Sequence, residues 1–398
     1  MLYEPFTVNI PEQDVQDLKQ RLSRARFAPD FSNNNWDYGT NGKYLTELIQ
    51  YWIDDFDWRE QESKINEFHH YKTNIRDNPV HFIYEKGKGS NPTPLILTHG
   101  WPWTFWDWQK VIKPLTDPEA FGGDPENSFD VIIPSLPGFG FSSPLTCSGI
   151  NFWETADLWV SLMRDVLGYD KFAAAGGDWG ALVTAQLGHK YPDHLIGVYI
   201  HLMAPLDLFT GSLPERNLYS DDEEDLYKKN EAFFSRESGY SAIQTTKPQT
   251  LAFGLNDSPI GLCSWLLEKR RTWSDCKGNV ESRFSKDDLL TTICIYWFTQ
   301  TYGTSARYYY ECVHNPWTPS HPSLPVVKAP TGIGVFSEEV IIFPRKWAET
   351  YYNLSHWTEI DSGGHFAPME EPEALVTDIR KFFQQLDYSD KFLGSFGG

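Results

Sequence analysis

The feature that most constrains the fold is a five-residue turn, Gly176-Gly177-Asp178-Trp179-Gly180. A short apolar run, Phe172-Ala173-Ala174-Ala175, precedes it and reads as a buried strand. Residues 181–191 follow and read as a helix. A strand that turns this sharply into a helix needs small residues on both sides of the bend, so that the backbone closes without a Cβ clash. The bend then lifts its central side chain above the end of the sheet. Here that side chain is a carboxylate. A serine oxygen attacking a saturated carbon would leave a stable ether, whereas an aspartate oxygen leaves an alkyl ester that water can hydrolyse. Asp178 could also serve simply as a cap on the following helix, so the turn has to be weighed with the rest of the chain.

From Thr93 onward strand and helix alternate, which argues a parallel sheet. Strands are expected at 94–98, 129–134, 172–175 and 195–201. The first leads into His99-Gly100-Trp101-Pro102 and the second into Pro137-Gly138-Phe139-Gly140-Phe141-Ser142. The rhythm breaks near Pro205. Residues 206–324 show no strand pattern and include an acidic run, Asp221-Asp222-Glu223-Glu224-Asp225, which reads as a solvated face. Ser285-Lys286-Asp287-Asp288 resembles a capping box and is expected to open one long helix reaching Cys312. Strands resume at 331–336 and 357–360, and a helix over 372–386 closes the chain. Ahead of the alternating region, Ile10-Pro11-Glu12-Gln13-Asp14 opens a helix with acids in its favoured first turn. A second helix over 44–56 and paired strands over 68–71 and 80–84 follow. The expected organisation is an N-terminal extension packed on the core (1–90), the first part of an α/β core (91–205), an inserted helical cap (206–324) and the second part of the core (325–398).

A net charge of −20 makes nucleic acid and anionic membrane poor partners. No apolar stretch is long enough to span a bilayer. The opening Met1-Leu2-Tyr3-Glu4-Pro5-Phe6 lacks the basic flank and apolar run of a signal peptide, so a soluble cytoplasmic protein is expected. Five widely spaced cysteines fit free thiols in a reducing cytosol, none has a zinc-like spacing, and no ligand cluster for a metal is visible. The 16 Trp, 20 Tyr and 26 Phe are a surplus that suits an apolar pocket lined by rings.

An Asp nucleophile needs a base to activate the hydrolytic water, and the base needs an acid to orient it. His365 lies in Ser362-Gly363-Gly364-His365-Phe366, between the last strand and the last helix, where glycines permit a tight loop over the turn. For the acid, Glu338 or Glu339 follows the penultimate strand, and only one of two neighbours on an extended loop should face the histidine. Asp207 competes, and Asp361 reads as a strand-end residue. The segment from His99 to Pro102 sits where an oxyanion loop belongs. The backbone N–H groups of Trp101 and Trp179 are the expected donors to the oxyanion formed on Asp178, and Trp101-Pro102 is a candidate cis bond. An Asp nucleophile points to an epoxide or an alkyl halide as substrate. Opening an epoxide also needs a proton donor for the leaving oxygen, and two cap phenols can serve. Periodicity does not choose among Tyr219, Tyr227, Tyr240, Tyr296, Tyr302, Tyr308, Tyr309 and Tyr310.

Together these residues closely resemble the microsomal-type epoxide hydrolases of the α/β-hydrolase superfamily. The likeness spans nearly the whole chain. It rests on Phe6-Thr7-Val8-Asn9-Ile10-Pro11, Phe56-Asp57-Trp58-Arg59, the segments from His99 and Pro137, the Asp178 turn, and Gly363-Gly364-His365-Phe366-Ala367. The resemblance implies an α/β-hydrolase core with an N-terminal extension and an inserted cap. It implies cofactor-independent conversion of an epoxide and water to a vicinal diol, with Glu339 as the acid and Tyr240 and Tyr309 as the phenols. Two departures stand out. Trp103 replaces the family's usual small residue, and is expected either to narrow the pocket mouth or to lie at the surface. The membrane anchor of the microsomal members is expected to be absent from this sequence, since Met1 stands almost at the folded region. The expected partner is a small apolar epoxide, with no nucleic acid and no integral membrane segment; a homodimer is left open. The rival readings are a haloalkane dehalogenase-like hydrolase and a non-catalytic protein that captures a small ligand on the same fold.

Overall fold

A computed structural model describes residues 2–393. Nine strands form one sheet in the order β1-β2-β3-β5-β4-β6-β7-β8-β9. They are β1 (Glu4–Phe6), β2 (His70–Ile75), β3 (Asn78–Glu85), β4 (Thr93–Thr98), β5 (Phe129–Pro134), β6 (Phe172–Gly176), β7 (Leu195–Ile200), β8 (Val327–Glu338) and β9 (Tyr352–Gly364). The β1–β2, β2–β3 and β3–β5 pairs are antiparallel, and every pair from β5 to β9 is parallel. Helices cover both faces of the parallel part, so its strands are apolar without alternation. All of β5 and β6 is buried.

The order of the central strands fixes the site. Strand β6 lies between β4 and β7, with Thr98 registered on Gly176 and Gly176 on Ile200. The parallel strands therefore end together, and the loops after β4, β6, β8 and β9 converge at one edge.

Between β7 and β8 lies the cap, whose main helices are Glu224–Arg236, Gly239–Thr246, Pro248–Asp257, Pro259–Thr272, Lys286–Thr299 and Tyr302–His314. The single long helix expected from Ser285 to Cys312 is instead two. Gln300 adopts a left-handed conformation (φ 54°) and ends the first, and Thr301 begins the second. The Ser285 capping box is present as read. The chain also forms elements that patterning passed over: the short edge strand β1 and the helices Trp58–Ile65 and Arg345–Tyr351.

The N-terminal helices reach across to the cap. Trp58 packs on Phe298 at 4.9 Å, Tyr51 Oη donates to Asp287 at 2.9 Å, and Arg21 pairs with Asp257 at 2.9 Å. The β2–β3 hairpin is pinned to the core by a buried chain of polar groups. Its links are Ile65 carbonyl to His70 Nε2 at 2.8 Å, His70 Nδ1 to His81 Nε2 at 2.9 Å, and His81 Nδ1 to Ser135 Oγ at 2.9 Å. The Ile65 carbonyl can only accept, so each proton in the chain has one consistent place when both rings are neutral.

Candidate active site

Asp178 sits between β6 and the helix Trp179–Lys190, with φ 52° and ψ −128°. A non-glycine residue with such a backbone is strained and persists only where its surroundings enforce it. The neighbours do enforce it. A Cβ on Gly180 would lie 1.9 Å from the Thr98 carbonyl oxygen, so only glycine lets the helix start against β4. A Cβ on Gly100 would meet Asp178 Oδ1 at 2.2 Å, so only glycine lets the loop after β4 approach the carboxylate. The side chain of Asp178 makes no cap hydrogen bond to its own helix. The simple capping role therefore falls away, and the carboxylate stands at the positive end of a twelve-residue helix.

Each oxygen of Asp178 has its own neighbour. Oδ1 accepts the Trp101 N–H at 2.7 Å. Oδ2 lies 3.2 Å from His365 Nε2, off the line of a hydrogen bond, since Nε2 has no aligned partner. On its other side His365 Nδ1 is 2.7 Å from Glu339 Oε1. Glu339 directly follows β8 and also accepts the Val340 N–H at 2.7 Å. Glu338 turns outward to Lys277, as opposite pointing of neighbours requires. Asp207 makes no hydrogen bond or ion pair with His365, and its carboxylate lies against Gly211. Asp361 is exposed on β9. Burial pulls the His365 imidazole down, but Glu339 and Asp178 together outweigh it and push the ring up to about 10.

The loop carrying Trp101 is fastened from below. Trp101-Pro102 is cis. His99 Nε2 accepts the Leu136 N–H at 3.0 Å while its Nδ1 donates to the Gly100 carbonyl at 3.0 Å. Burial holds His99 down at about 4, which keeps it neutral for both bonds. Trp103 is fully buried, so the expected surface position does not hold. Its ring packs edge-on against His365 at 5.5 Å and stacks on His201 at 5.7 Å.

The cap supplies a roof of rings. Tyr240, in the first turn of Gly239–Thr246, stacks on Trp101 at 5.1 Å. Tyr309, on Tyr302–His314, lies 5.8 Å from Tyr240, 5.9 Å from Trp101 and 4.6 Å from Trp179. The three adjacent tyrosines separate cleanly. Tyr308 is bonded to Thr155 Oγ1 at 2.7 Å, Tyr310 stacks on His314 at 3.7 Å, and of the three only Tyr309 has ring contacts with Tyr240 and Trp101. Burial and the charge of Asp178 raise the pKa of Tyr240; burial, Tyr240 and Asp178 raise that of Tyr309. Both phenols therefore stay protonated at neutral pH. Patterning missed Trp273, whose ring lies 5.0 Å from Tyr240 and 5.2 Å from His365. Its place could not be read from the sequence, because the residue follows a helix with no motif around it.

A carboxylate, an imidazole with its own acid, and two neutral phenols close enough to feel the charge of that carboxylate are what opening a strained ether and then cleaving an ester requires. Comparison with known proteins agrees. Residues 3–108 match the family model described as epoxide hydrolase N terminus, and residues 93–236 match the alpha/beta hydrolase fold. Epoxide hydrolase 1 of Oryctolagus cuniculus is 39% identical over 400 residues, covering 95% of this chain and 88% of that protein. The chain belongs to the epoxide hydrolase family. This epoxide hydrolase also resembles solved members. The Bombyx mori juvenile hormone epoxide hydrolase aligns with a TM-score of 0.86 at 30% identity, over 98% of this chain and 95% of that one. The Aspergillus niger epoxide hydrolase aligns with a TM-score of 0.84 at 28% identity, over 97% of each chain. Among the described residues, no helix is long and apolar enough to cross a membrane.

Proposed function

We propose that this epoxide hydrolase works through an alkyl ester on Asp178, and that the observation carrying this reading is His365 held between Glu339 and Asp178 at 2.7 and 3.2 Å. Oδ2 is the attacking oxygen, because Oδ1 is held by the Trp101 N–H. As Oδ2 bonds to a ring carbon, the ring C–O bond breaks and its electron pair goes to oxygen. Tyr240 or Tyr309 gives that oxygen a proton, and the other phenol donates a hydrogen bond. Charge on the oxygen grows only as the bond breaks, so these donors favour the transition state over the bound epoxide.

The second half-reaction starts from a changed field. Esterification removes the negative charge of Asp178, one of the two that hold the imidazole up near 10. The His365 pKa then falls, so the charged ring releases its proton to solvent and becomes a base; it takes a proton back from solvent once Asp178 is again a carboxylate. Neutral His365 takes a proton from water as hydroxide adds to the ester carbon. The oxyanion forms on Oδ1, already bonded to the Trp101 N–H, and the Trp179 N–H at the helix start is the second donor. The intermediate expels the diol oxygen, which takes the proton from His365. The acid left on Asp178 returns its proton to the phenolate through solvent, so the net change is epoxide plus water to diol. Glu339 orients the ring and stabilises its charged form.

The rings of Trp101 and Trp273, and of Trp179 and Phe209, pack together around these polar atoms, and apolar surroundings of this kind suit a small apolar epoxide. The pair of phenols favours an epoxide over an alkyl halide, because a departing halide needs no proton. Five free thiols, four of them buried, suit an enzyme of the cytosol. Single turnover with enzyme in excess in heavy-oxygen water tests the ester: label should enter the Asp178 carboxylate. Label found only in the diol would mean direct attack of water on the epoxide.

A further inference from the structure

The loop that carries His365 offers four consecutive backbone N–H groups, and all four are held. Gly363 N–H donates to Asp275 Oδ2 at 3.0 Å. Gly364 N–H donates to Glu370 Oε2 at 3.1 Å, and Phe366 N–H to Glu370 Oε1 at 2.9 Å. His365 N–H donates to the Trp273 carbonyl at 2.9 Å. Two of the acceptors, Trp273 and Asp275, belong to the cap segment that follows the helix Pro259–Thr272. Glu370 belongs to the core, but its Oε2 also accepts the Asp275 N–H at 2.7 Å. One buried carboxylate thus ties the base loop and the cap segment together.

The grip is reinforced from outside. Arg283 donates to the Asp275 carbonyl at 2.8 Å, to Asp275 Oδ2 at 2.5 Å and to Glu371 Oε1 at 2.7 Å. Contact is too close for any slack. A Cβ on Gly364 would lie 2.8 Å from the Trp273 carbonyl oxygen and 2.9 Å from the Asp275 nitrogen. Glu370 and Asp275 are each 7% exposed, so water does not substitute readily for these bonds. Burying a carboxylate beside His365 is costly unless its acceptors are used. The side-chain hydrogen bonds of Glu370 go to backbone N–H groups of the base loop and of the cap segment.

We infer that Glu370 and Asp275 are positioning residues that lock the base loop to the cap, so that His365 and the roof carrying Tyr240 stand in register as one body. Trp273 is the hinge of this coupling, since its carbonyl holds the His365 backbone while its ring lies between His365 and Tyr240. The inference rests on the ester reading above, and it divides the two half-reactions. Attack by Asp178 needs the carboxylate and the phenols. Ester hydrolysis needs His365 aimed at a water, and a shift of about 1 Å in such a group costs on the order of a hundredfold.

Glu370→Gln keeps one acceptor oxygen but puts an amide donor in place of the other, so at least one of the three N–H groups now held by Glu370 meets a donor instead of an acceptor. Alkylation of this variant, read by quench in a single turnover of styrene oxide, should stay within roughly threefold of the parent. Ester hydrolysis should slow on the order of a hundredfold, so that protein heavier by one substrate accumulates. Asp275→Ala removes one of the four loop contacts and should slow hydrolysis less, in the same direction. If Glu370→Gln hydrolysed its ester at the parent rate, the coupling would be wrong. If alkylation and hydrolysis fell together in both variants, Glu370 would be a fold residue only and the inference would likewise fail. His365→Asn separates this from the underlying reading: an ester trapped there with none in Glu370→Gln refutes the positioning role alone. An ester in neither variant refutes the Asp178 ester itself.

Discussion

The floor and the roof of this site are built by different physics. The floor consists of loop residues at the ends of parallel strands: Asp178 after β6, Glu339 after β8, His365 after β9 and the Trp101 amide after β4. Strand register sets their spacing, and buried hydrogen bonds of 2.7 Å hold both the His365–Glu339 link and the Asp178–Trp101 link. The roof consists of two side chains on separate cap helices, Tyr240 and Tyr309, positioned by ring packing rather than by backbone bonds. A floor of this kind leaves little freedom; on the roof, Tyr240 is tied to it through Trp273, whereas Tyr309 can shift with the separate helix that carries it. In the proposed reaction floor and roof also serve different steps: the phenols act when the epoxide opens, and His365 with Glu339 when the ester is cleaved.

The sharpest way to break this division is to remove the base. His365→Asn should leave ring opening nearly intact and slow turnover by roughly 10⁴-fold, the upper end of what a positioned base supplies. Mass spectrometry after one equivalent of substrate should show protein heavier by one substrate. Turnover at the parent rate would move the base elsewhere. Tyr240→Phe and Tyr309→Phe act on the opposite step. Each should cost about 2–4 kcal/mol in alkylation, by analogy with loss of an oxyanion donor, and the double change should nearly abolish it. Ester hydrolysis in these variants should be unchanged once an ester has formed. A dependence of hydrolysis on either phenol would merge floor and roof into one device.

The division also marks what the sequence could reveal. Floor residues lie in glycine-flanked motifs because sharp turns and close backbone approach demand small neighbours. That is why Asp178, His365 and the Trp101 loop could be found from residues alone. Glu339 was one of three acids by patterning, and it became one only through family likeness; in the fold, the outward turn of Glu338 toward Lys277 separates the pair. The roof has no such punctuation. The cap holds tyrosine after tyrosine, and only the angular placement of one turn sends Tyr308 to Thr155 and Tyr309 to the pocket. The break at Gln300 escaped detection because the apolar pattern runs through it, and a left-handed residue other than glycine leaves no mark in the sequence. Asp275, Trp273 and Glu370 also meet across segments about ninety residues apart in sequence, which no local pattern records.

A milder test concerns how the field on His365 changes during the cycle. In the free enzyme the ring is pushed up to about 10 by Glu339 and Asp178. It is therefore charged at neutral pH and becomes neutral only as pH rises through that value. In the ester form one of the two negative charges is gone, so neutral His365 should prevail at lower pH. The rate of ester hydrolysis should rise with pH along a single limb whose midpoint lies below 10. Glu339→Gln removes the second charge, so its midpoint should fall further, and its maximal hydrolysis rate should drop on the order of tenfold to a hundredfold as orientation is lost. Stopped-flow hydrolysis of preformed ester across pH 6–10 reads both effects. A midpoint that moved upward in Glu339→Gln would contradict the assignment of Glu339 as the partner of His365.

The smallest expected effect comes from the tyrosines on either side of Tyr309. Tyr310 stacks on His314 and has no ring contact with Tyr240 or Trp101, so Tyr310→Phe, which empties no core site and strands no buried polar group, should change neither half-reaction by more than about twofold. Tyr308 differs, because its hydroxyl is buried and bonded to Thr155 Oγ1, which in turn donates to the Asn151 carbonyl. Tyr308→Phe removes one partner of that pair. Thr155 keeps its bond to Asn151, so no donor is stranded, and the cost should be about 1 kcal/mol of stability. Because the ring of Tyr308 still packs on Trp179 at 5.0 Å, alkylation should remain near the parent rate. Denaturant unfolding beside a single-turnover assay distinguishes the outcomes. If Tyr308→Phe slowed alkylation as much as Tyr309→Phe, the helix Tyr302–His314 would have to present the other hydroxyl during catalysis. The roof would then be mobile by about one residue of helix rotation, while the floor stays fixed.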